Sequence, residues 1–290
     1  MSAATTSRTM TRPSTLATVM FIGFGLYVLM PIYWLLVNST KSTSDLFATF
    51  GFWFSDTPQF FQNVRDVLSH DDGIFLRWMG NTVWYSFAAA AGATVLAFIA
   101  GYAFAKWQFR LKDALFWTVL AAIMIPGAAL AVPTFQLLSS LDLINTPWAI
   151  ILPSIVNPFG LYLLRIYVDS AVPDEMIDAA RIDGAGEARI LRSVVARVVS
   201  PGLATVFLLS FVATWNNYLL PLLVLTETEL QPVTLGLTNW NRQSLFPTTG
   251  SEVLYSLVVT GSLLSIIPLI IAFAFMQRFL RSGLTIGAVR

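Results

Sequence analysis

Six long runs without one charged side chain decide what this chain can fold into. They are Leu16 to Val37, Thr82 to Phe104, Ala114 to Leu138, Trp148 to Leu164, Gly202 to Leu225 and Val253 to Phe275. A helix needs about 20 apolar residues to cross a hydrocarbon core of roughly 30 Å. In lipid every backbone polar group must be satisfied within the protein, which helices do by themselves. The runs therefore predict an all-α, polytopic membrane protein with six transmembrane helices. The fourth run is short, and Arg165, snorkelling to the interface, extends it to Tyr167. The first is too long for a secretory signal core and lacks its small-residue cleavage site, so it reads as a retained span. Composition agrees: 56% of the 290 residues are hydrophobic and 11% charged, against roughly 25% charged in ordinary soluble domains.

Charge placement predicts the orientation. With the N-terminus inside, thirteen Lys and Arg residues fall on the cytoplasmic side, including Lys106, Arg110, Lys112, Arg165, Arg181 and Arg278. Only Lys41, Arg65, Arg77 and Arg242 fall outside, so the positive-inside rule places both termini in the cytoplasm. The expected layout has a disordered tail at 1–15, a transmembrane domain at 16–282 and a cytoplasmic tail at 283–290. Its spans lie at about 16–37, 82–104, 114–138, 148–167, 202–225 and 253–275. Prolines at 126, 133, 153, 158, 221 and 268 predict bent helices that neighbours re-satisfy. Ala89, Ala93, Ala97, Gly101 and Ala105 recur every fourth residue, a stripe that lets another helix approach closely.

Several chemistries are excluded. A net charge of +1 leaves no nucleic-acid footprint, and the lack of cysteine excludes disulfides, thiolate metal sites and cysteine nucleophiles. His70, beside Asp71 and Asp72, reads as a solvated loop residue rather than a metal ligand. No GxxxxGK[ST] phosphate loop occurs, so ATP hydrolysis by that route is not expected of this chain. No catalytic residue, metal site or cofactor is expected. The runs contain no Asp, Glu, Lys, Arg or His, which counts against a proton-coupled carrier, since such carriers use charged residues within their spans.

One polar stretch, 173–201, breaks the apolar pattern between the fourth and fifth runs. Pro173 suits a first helical turn, and Asp174 and Glu175 sit at the positive end of the dipole. Met176, Ile177 and Ala180 make a narrow apolar edge, and Gly184 ends the helix in the left-handed conformation. A second amphipathic helix follows, with Ile190, Leu191, Val194, Val195 and Val198 on one face. Two short helices joined at a glycine turn predict a compact cytoplasmic knob.

This stretch resembles the cytoplasmic loop of bacterial ABC importer permeases, with its Glu-Ala-Ala triplet, three residues, then Gly. Here Asp178-Ala179-Ala180 stands for the triplet, and Asp183-Gly184-Ala185 matches a common variant. Asp178 replaces the usual Glu, and Ala196-Arg197 occupies the Leu-Pro position further on. Other stretches are similar to carbohydrate-type permeases, the group that includes the maltose transporter's inner-membrane subunits. They are Asn81-Thr82, Gly101 to Lys106, Trp215 to Leu222, Gln277 to Phe279 and Gly283 to Arg290. Arg110-Leu111-Lys112 departs from the usual Pro-Gly turn.

The resemblance implies one of two permease subunits, non-catalytic, in an importer with ABC ATPase subunits inside and an extracytoplasmic solute-binding protein outside. It implies a sugar substrate and a multi-pass place in the lipid bilayer of a bacterial plasma membrane. Glu175, Asp178, Ala179, Ala180, Asp183 and Gly184 would couple to the ATPase. Trp215, Asn216, Asn217 and Tyr218 would line the translocation path, though the amides serve equally well as bonds between helices. An ABC permease for a non-sugar solute, a stand-alone secondary transporter and a membrane anchor are the alternatives.

Overall fold

A computed structural model describes residues 15–246 and 254–284. The tail at 1–14 and the end of the chain at 285–290 lie outside the described residues. Among the described residues all regular structure is helical. Helix α1 (Thr15–Asn38) stands to one side, touching α15 (Tyr255–Leu284) and burying only Val37 and Asn38. The short helices α2 (Thr43–Ala48) and α3 (Phe60–Ser69) follow at its C-terminal end.

The axis of the bundle is α4 (Ile74–Lys106). It begins eight residues before the predicted second span, because its first turns are held outside the apolar run. Arg77 pairs with Glu229, and the Asn81 amide donates to the Glu229 carbonyl at 2.7 Å. The small-residue stripe is buried as predicted at Ala89, Ala93, Ala97 and Gly101. A Cβ on Gly101 would lie 2.9 Å from the Arg165 amide nitrogen, so the stripe brings the backbone of α8 into direct contact with α4.

Three of the apolar runs break, each at a nameable residue. The third divides into α5 (Lys112–Ile123) and α6 (Ala131–Ser140), bent by 99° around Pro126. The fourth divides into α7 (Trp148–Ile155) and α8 (Pro158–Ala171). Pro158 disfavours the helical conformation at the residue before it, and Asn157 sits at φ −127, ψ 88. Its side-chain oxygen then caps α8 by accepting from the Gly160 N–H at 2.8 Å.

After the polar stretch, whose helices are α9 (Asp174–Ile182), α10 (Glu187–Arg189) and α11 (Ala196–Val198), comes α12 (Ser200–Trp215). The fifth run breaks after α12 and resumes as α13 (Leu219–Val224). Then come α14 (Val233–Leu245), packed on the N-terminal half of α4, and α15, which continues past the predicted sixth span to Leu284. By length and apolarity four helical segments can cross a membrane, and up to six if each of two bent pairs counts as one span.

The cores stack along α4. Trp78, Trp240, Val233 and Leu237 pack at its N-terminal end; Ile150, Ile151, Tyr85 and Val224 lie between; Tyr102, Val168, Ile190 and Val195 close its C-terminal end. The first of these cores is tight: a Cβ on Gly236 would stand 2.2 Å from the Trp78 ring.

Candidate functional site

The polar stretch folds into the expected knob, and its turn has a defined geometry. Gly184 adopts φ 77. Its N–H donates to the Arg181 carbonyl at 3.0 Å, and the Ala185 N–H donates to the Ala180 carbonyl at 3.0 Å. This pair of bonds satisfies the last carbonyls of α9 and requires a left-handed residue between them. No atom lies within 4 Å of where a Gly184 Cβ would be, so the requirement is one of backbone conformation alone.

The underside of the knob is apolar. Ile177, Ile190, Val195 and Val199 are buried against Tyr102, Val168 and Val172. The second half is a single bent rod rather than a regular amphipathic helix, because Ile190–Val195 forms a π turn. The wider turn brings Ile190 and Val195, five residues apart, onto one face. Each such side chain contributes about 1.5–3 kcal/mol on full burial. That outweighs the screened ion pairs above it, so the underside holds the knob in place.

The ion pairs set its angle. The Tyr102 hydroxyl donates to Glu187 Oε2 at 2.9 Å, and Arg181 Nε and Nη2 donate to Glu187 Oε1 at 2.9 and 2.8 Å. Arg181 Nη1 also reaches Asp178 at 3.3 Å, and Lys106 Nζ donates to Asp174 at 2.6 Å. The hydrogen bond from Arg181 holds the Glu187 carboxyl below its ordinary range, and Glu187 in turn raises Arg181. Lys106 lowers Asp174 in the same way. Tyr102 and Lys106 both belong to α4, so the knob is fastened to the axis of the bundle at two points.

Glu175, Asp178, Ala179, Asp183 and Gly184 all face outward, while Ala180 is half-buried toward the bundle. Met176, expected on the apolar edge, is 38% exposed instead, because α9 buries only its Ile177 side. Ile182 is 86% exposed at the outer tip. The outer face thus offers short acidic and apolar groups around a stiff turn. Sequence reasoning had not singled out Glu187, Arg181, Lys106 or Tyr102 as a set, since their contacts join residues 68 and 85 positions apart.

A second feature lies within the apolar layer. An open groove of about 430 Å³ is lined by Ser154, Asn157, Ser210, Thr214 and Asn217 among apolar side chains. A neighbouring hollow of about 420 Å³ shares Ser154 and Asn217 and adds Thr134. The breaks in all three divided runs border these hollows. The Asn157 amide donates to Ser210 Oγ at 2.8 Å, joining α8 to α12. Asn217 accepts the Thr234 hydroxyl on its backbone carbonyl at 3.1 Å. Its side-chain amide makes no hydrogen bond among the described residues and borders both hollows. No ionisable side chain lines either one.

Of the four side chains expected along a path, Asn217 alone borders these hollows. Trp215 is buried in the core, its ring 5.5 Å from that of Phe211, because it lies one turn further along the packed face of α12. Asn216 turns back to donate to the Val212 carbonyl at 2.9 Å, and Tyr218 is 37% exposed. Ser154, Ser210 and Thr214 were not anticipated: single hydroxyls in apolar runs carry no pattern until two helices, α7 and α12, bring them together.

The comparisons with known proteins agree with this architecture. A chain in the crystal structure of a bacterial ABC transporter involved in the import of the acidic polysaccharide alginate superposes with a TM-score of 0.77. It covers 91% of this chain and 94% of that one at 24% identity, which is a likeness of fold. The arabinooligosaccharides transport system permease protein AraQ of Halalkalibacterium halodurans is 36% identical over 218 residues, 75% of each chain. The lactose transport system permease protein LacG of Rhizobium radiobacter is 30% identical over 265 residues, 90% of this chain and 91% of that one. Residues 93–285 match the family model described as binding-protein-dependent transport system inner membrane component. That match spans the divided runs, the knob and all of α15, and the chain belongs to this family of multi-pass ABC transport permeases.

Proposed function

We propose that this chain is a sugar-translocating permease subunit of a bacterial importer, itself non-catalytic and driven by separate ATPase subunits. The observation that carries the reading is the pair of adjoining uncharged polar hollows that the breaks in three apolar runs border between them. Hydroxyl and amide groups in an apolar wall suit a neutral, polyhydroxylated solute, which needs hydrogen bonds but no counter-charge. Breaks in three helices at one place also supply hinges for alternating access. The names of the relatives, which transport arabinooligosaccharides and lactose, support the sugar class.

The full arrangement has six spans, with both termini and the knob in the cytoplasm. The third span comprises α5 and α6, the fourth α7 and α8, and the fifth α12 and α13. The permease domain runs through 16–282, with cytoplasmic tails at either end. Glu175, Asp178, Ala179, Ala180, Asp183 and Gly184 form the knob surface that seats on the ATPase. Asn217 binds solute directly. A second permease subunit completes the path, and an extracytoplasmic binding protein delivers the sugar. The uncovered flank of α1 supports the presence of a neighbour within the bilayer.

The test is uptake by the reconstituted complex. Asn217→Ala should lower uptake of the transported sugar while the ATPase subunits still copurify. Unchanged uptake at every sugar concentration would remove Asn217 from the path. Copurification of no ATPase would overturn the whole reading.

A further inference from the structure

A third hollow, of about 460 Å³, lies at the inner end of the bundle where the α4–α5 turn meets α8, and neither the groove nor the knob uses it. Its polar lining is Gln108, Lys112, Asp113 and Arg165. The Arg165 guanidinium lies 3.7 Å from the centroid of the Phe116 ring. A cation–π contact of that kind fixes the head against an aromatic face and leaves its N–H edge open. Lys112 gives one N–H to the Trp107 carbonyl at 2.9 Å and keeps two. Arg110 is exposed on the same turn. Among the described residues none of these three cations has a carboxylate within ion-pair distance. Asp113 is the one acidic group lining the hollow, so cations outnumber anions.

The surroundings are apolar and open. Leu111 lines the hollow and is exposed, and Trp107 on the same turn and Leu115 and Trp117 on α5 are exposed as well. A free inorganic anion would use the cations and leave this surface unused. A molecule with an anionic head and hydrocarbon chains would use both. Basic pockets beside spans at the cytoplasmic surface attract anionic headgroups.

We propose that this hollow is a headgroup site for an anionic phospholipid. The phosphodiester sits between Arg165 and Lys112, and the acyl chains lie over Leu115 and Trp117. The head would bridge α5 to α8, the helix that packs on Gly101 of α4 and leads directly into the knob. Assignment to the inner leaflet rests on the orientation proposed above. The binding chemistry does not.

Native mass spectrometry of the intact transporter complex tests this, with phosphatidylglycerol or phosphatidylcholine in the micelle. Phosphatidylglycerol should be retained in preference to phosphatidylcholine. Lys112→Gln and Arg165→Gln should each weaken retention about fivefold, the effect of one surface cation on an anionic lipid. Arg165→Lys should keep most of it, and Asp113→Asn should strengthen it. These two conservative variants carry the test if the glutamine variants fail to assemble. Equal retention of both lipids, or unchanged retention in the glutamine variants, would overturn the proposal. Loss of lipid selectivity together with competition by millimolar inorganic phosphate would mark a free-anion site and overturn the lipid assignment. The leaflet is tested apart: Lys112→Cys, in a chain without cysteine, should resist an impermeant maleimide in intact cells. Labelling there would overturn the orientation while leaving lipid retention standing.

Discussion

Gly184→Val puts a β-branched residue at φ 77 with open space around the new side chain. Because a Cβ meets nothing within 4 Å, steric collision drops out and only the left-handed backbone is penalised. That penalty is about 1–2 kcal/mol for a residue with a β-carbon and falls toward the upper end for a branched one. A strain of about 2 kcal/mol shifts the balance between the ordered turn and its alternatives roughly 30-fold. Escape to negative φ would break the bonds from Gly184 to Arg181 and from Ala185 to Ala180. It would also swing Glu187 away from Tyr102 and Arg181. A side chain at Gly184 starts in open space rather than in any core packed on α4, so membrane abundance should stay normal. Two measurements decide the matter: copurification of the ATPase subunits and coupled ATP hydrolysis in proteoliposomes. Both should fall in the order Gly184, Asn, Ala, Val, since Asn tolerates the left-handed region better than other residues with a β-carbon. Equal behaviour of Asn, Ala and Val, or full coupling by Val, would refute the conformational argument and the role given to the knob.

Asn217→Leu should reduce uptake more than Asn217→Ala, because it fills the junction of the two hollows as well as removing the amide; transport assays at saturating sugar check this. Gly236→Ala drives a methyl to within 2.2 Å of the buried Trp78 ring, an overpacking that costs about 1–3 kcal/mol, so a thermal melt of the purified complex should shift downward. The carboxyls of Asp174 and Glu187 titrate below their ordinary values of 3.8 and 4.5. Their contribution to the knob is therefore fully present above those ordinary values and is lost as pH falls through the lower, folded ones. A fluorescent probe on Ile182→Cys should report a constant environment from about pH 8 to 5 and loosening only in stronger acid; loosening already near pH 6 would contradict the assignment.

The six uncharged runs by themselves determined the membrane class and the helical fold, since in lipid the backbone has few other solutions. The four-residue stripe from Ala89 announced a close helix contact, and the knob was legible as two polar helices about a glycine. Both are local patterns, written within one or two turns of helix. What only the tertiary structure decided was which side chains meet. Pro126, Pro158 and the Asn216–Tyr218 segment each mark a break, yet nothing local says that the three breaks border two adjoining hollows. Ser154, Ser210 and Thr214 look like ordinary hydroxyls in apolar helices until packing on α4 gathers them around Asn217. Trp215 stood beside two amides in sequence and was expected on the path, but the helical period of α12 carries it into the core. The fastening of the knob was hidden for the same reason: Tyr102 and Lys106 lie far from Glu187 and Asp174 along the chain. Composition and periodicity report how each segment meets its solvent; the partners of a polar group are set by how the segments pack.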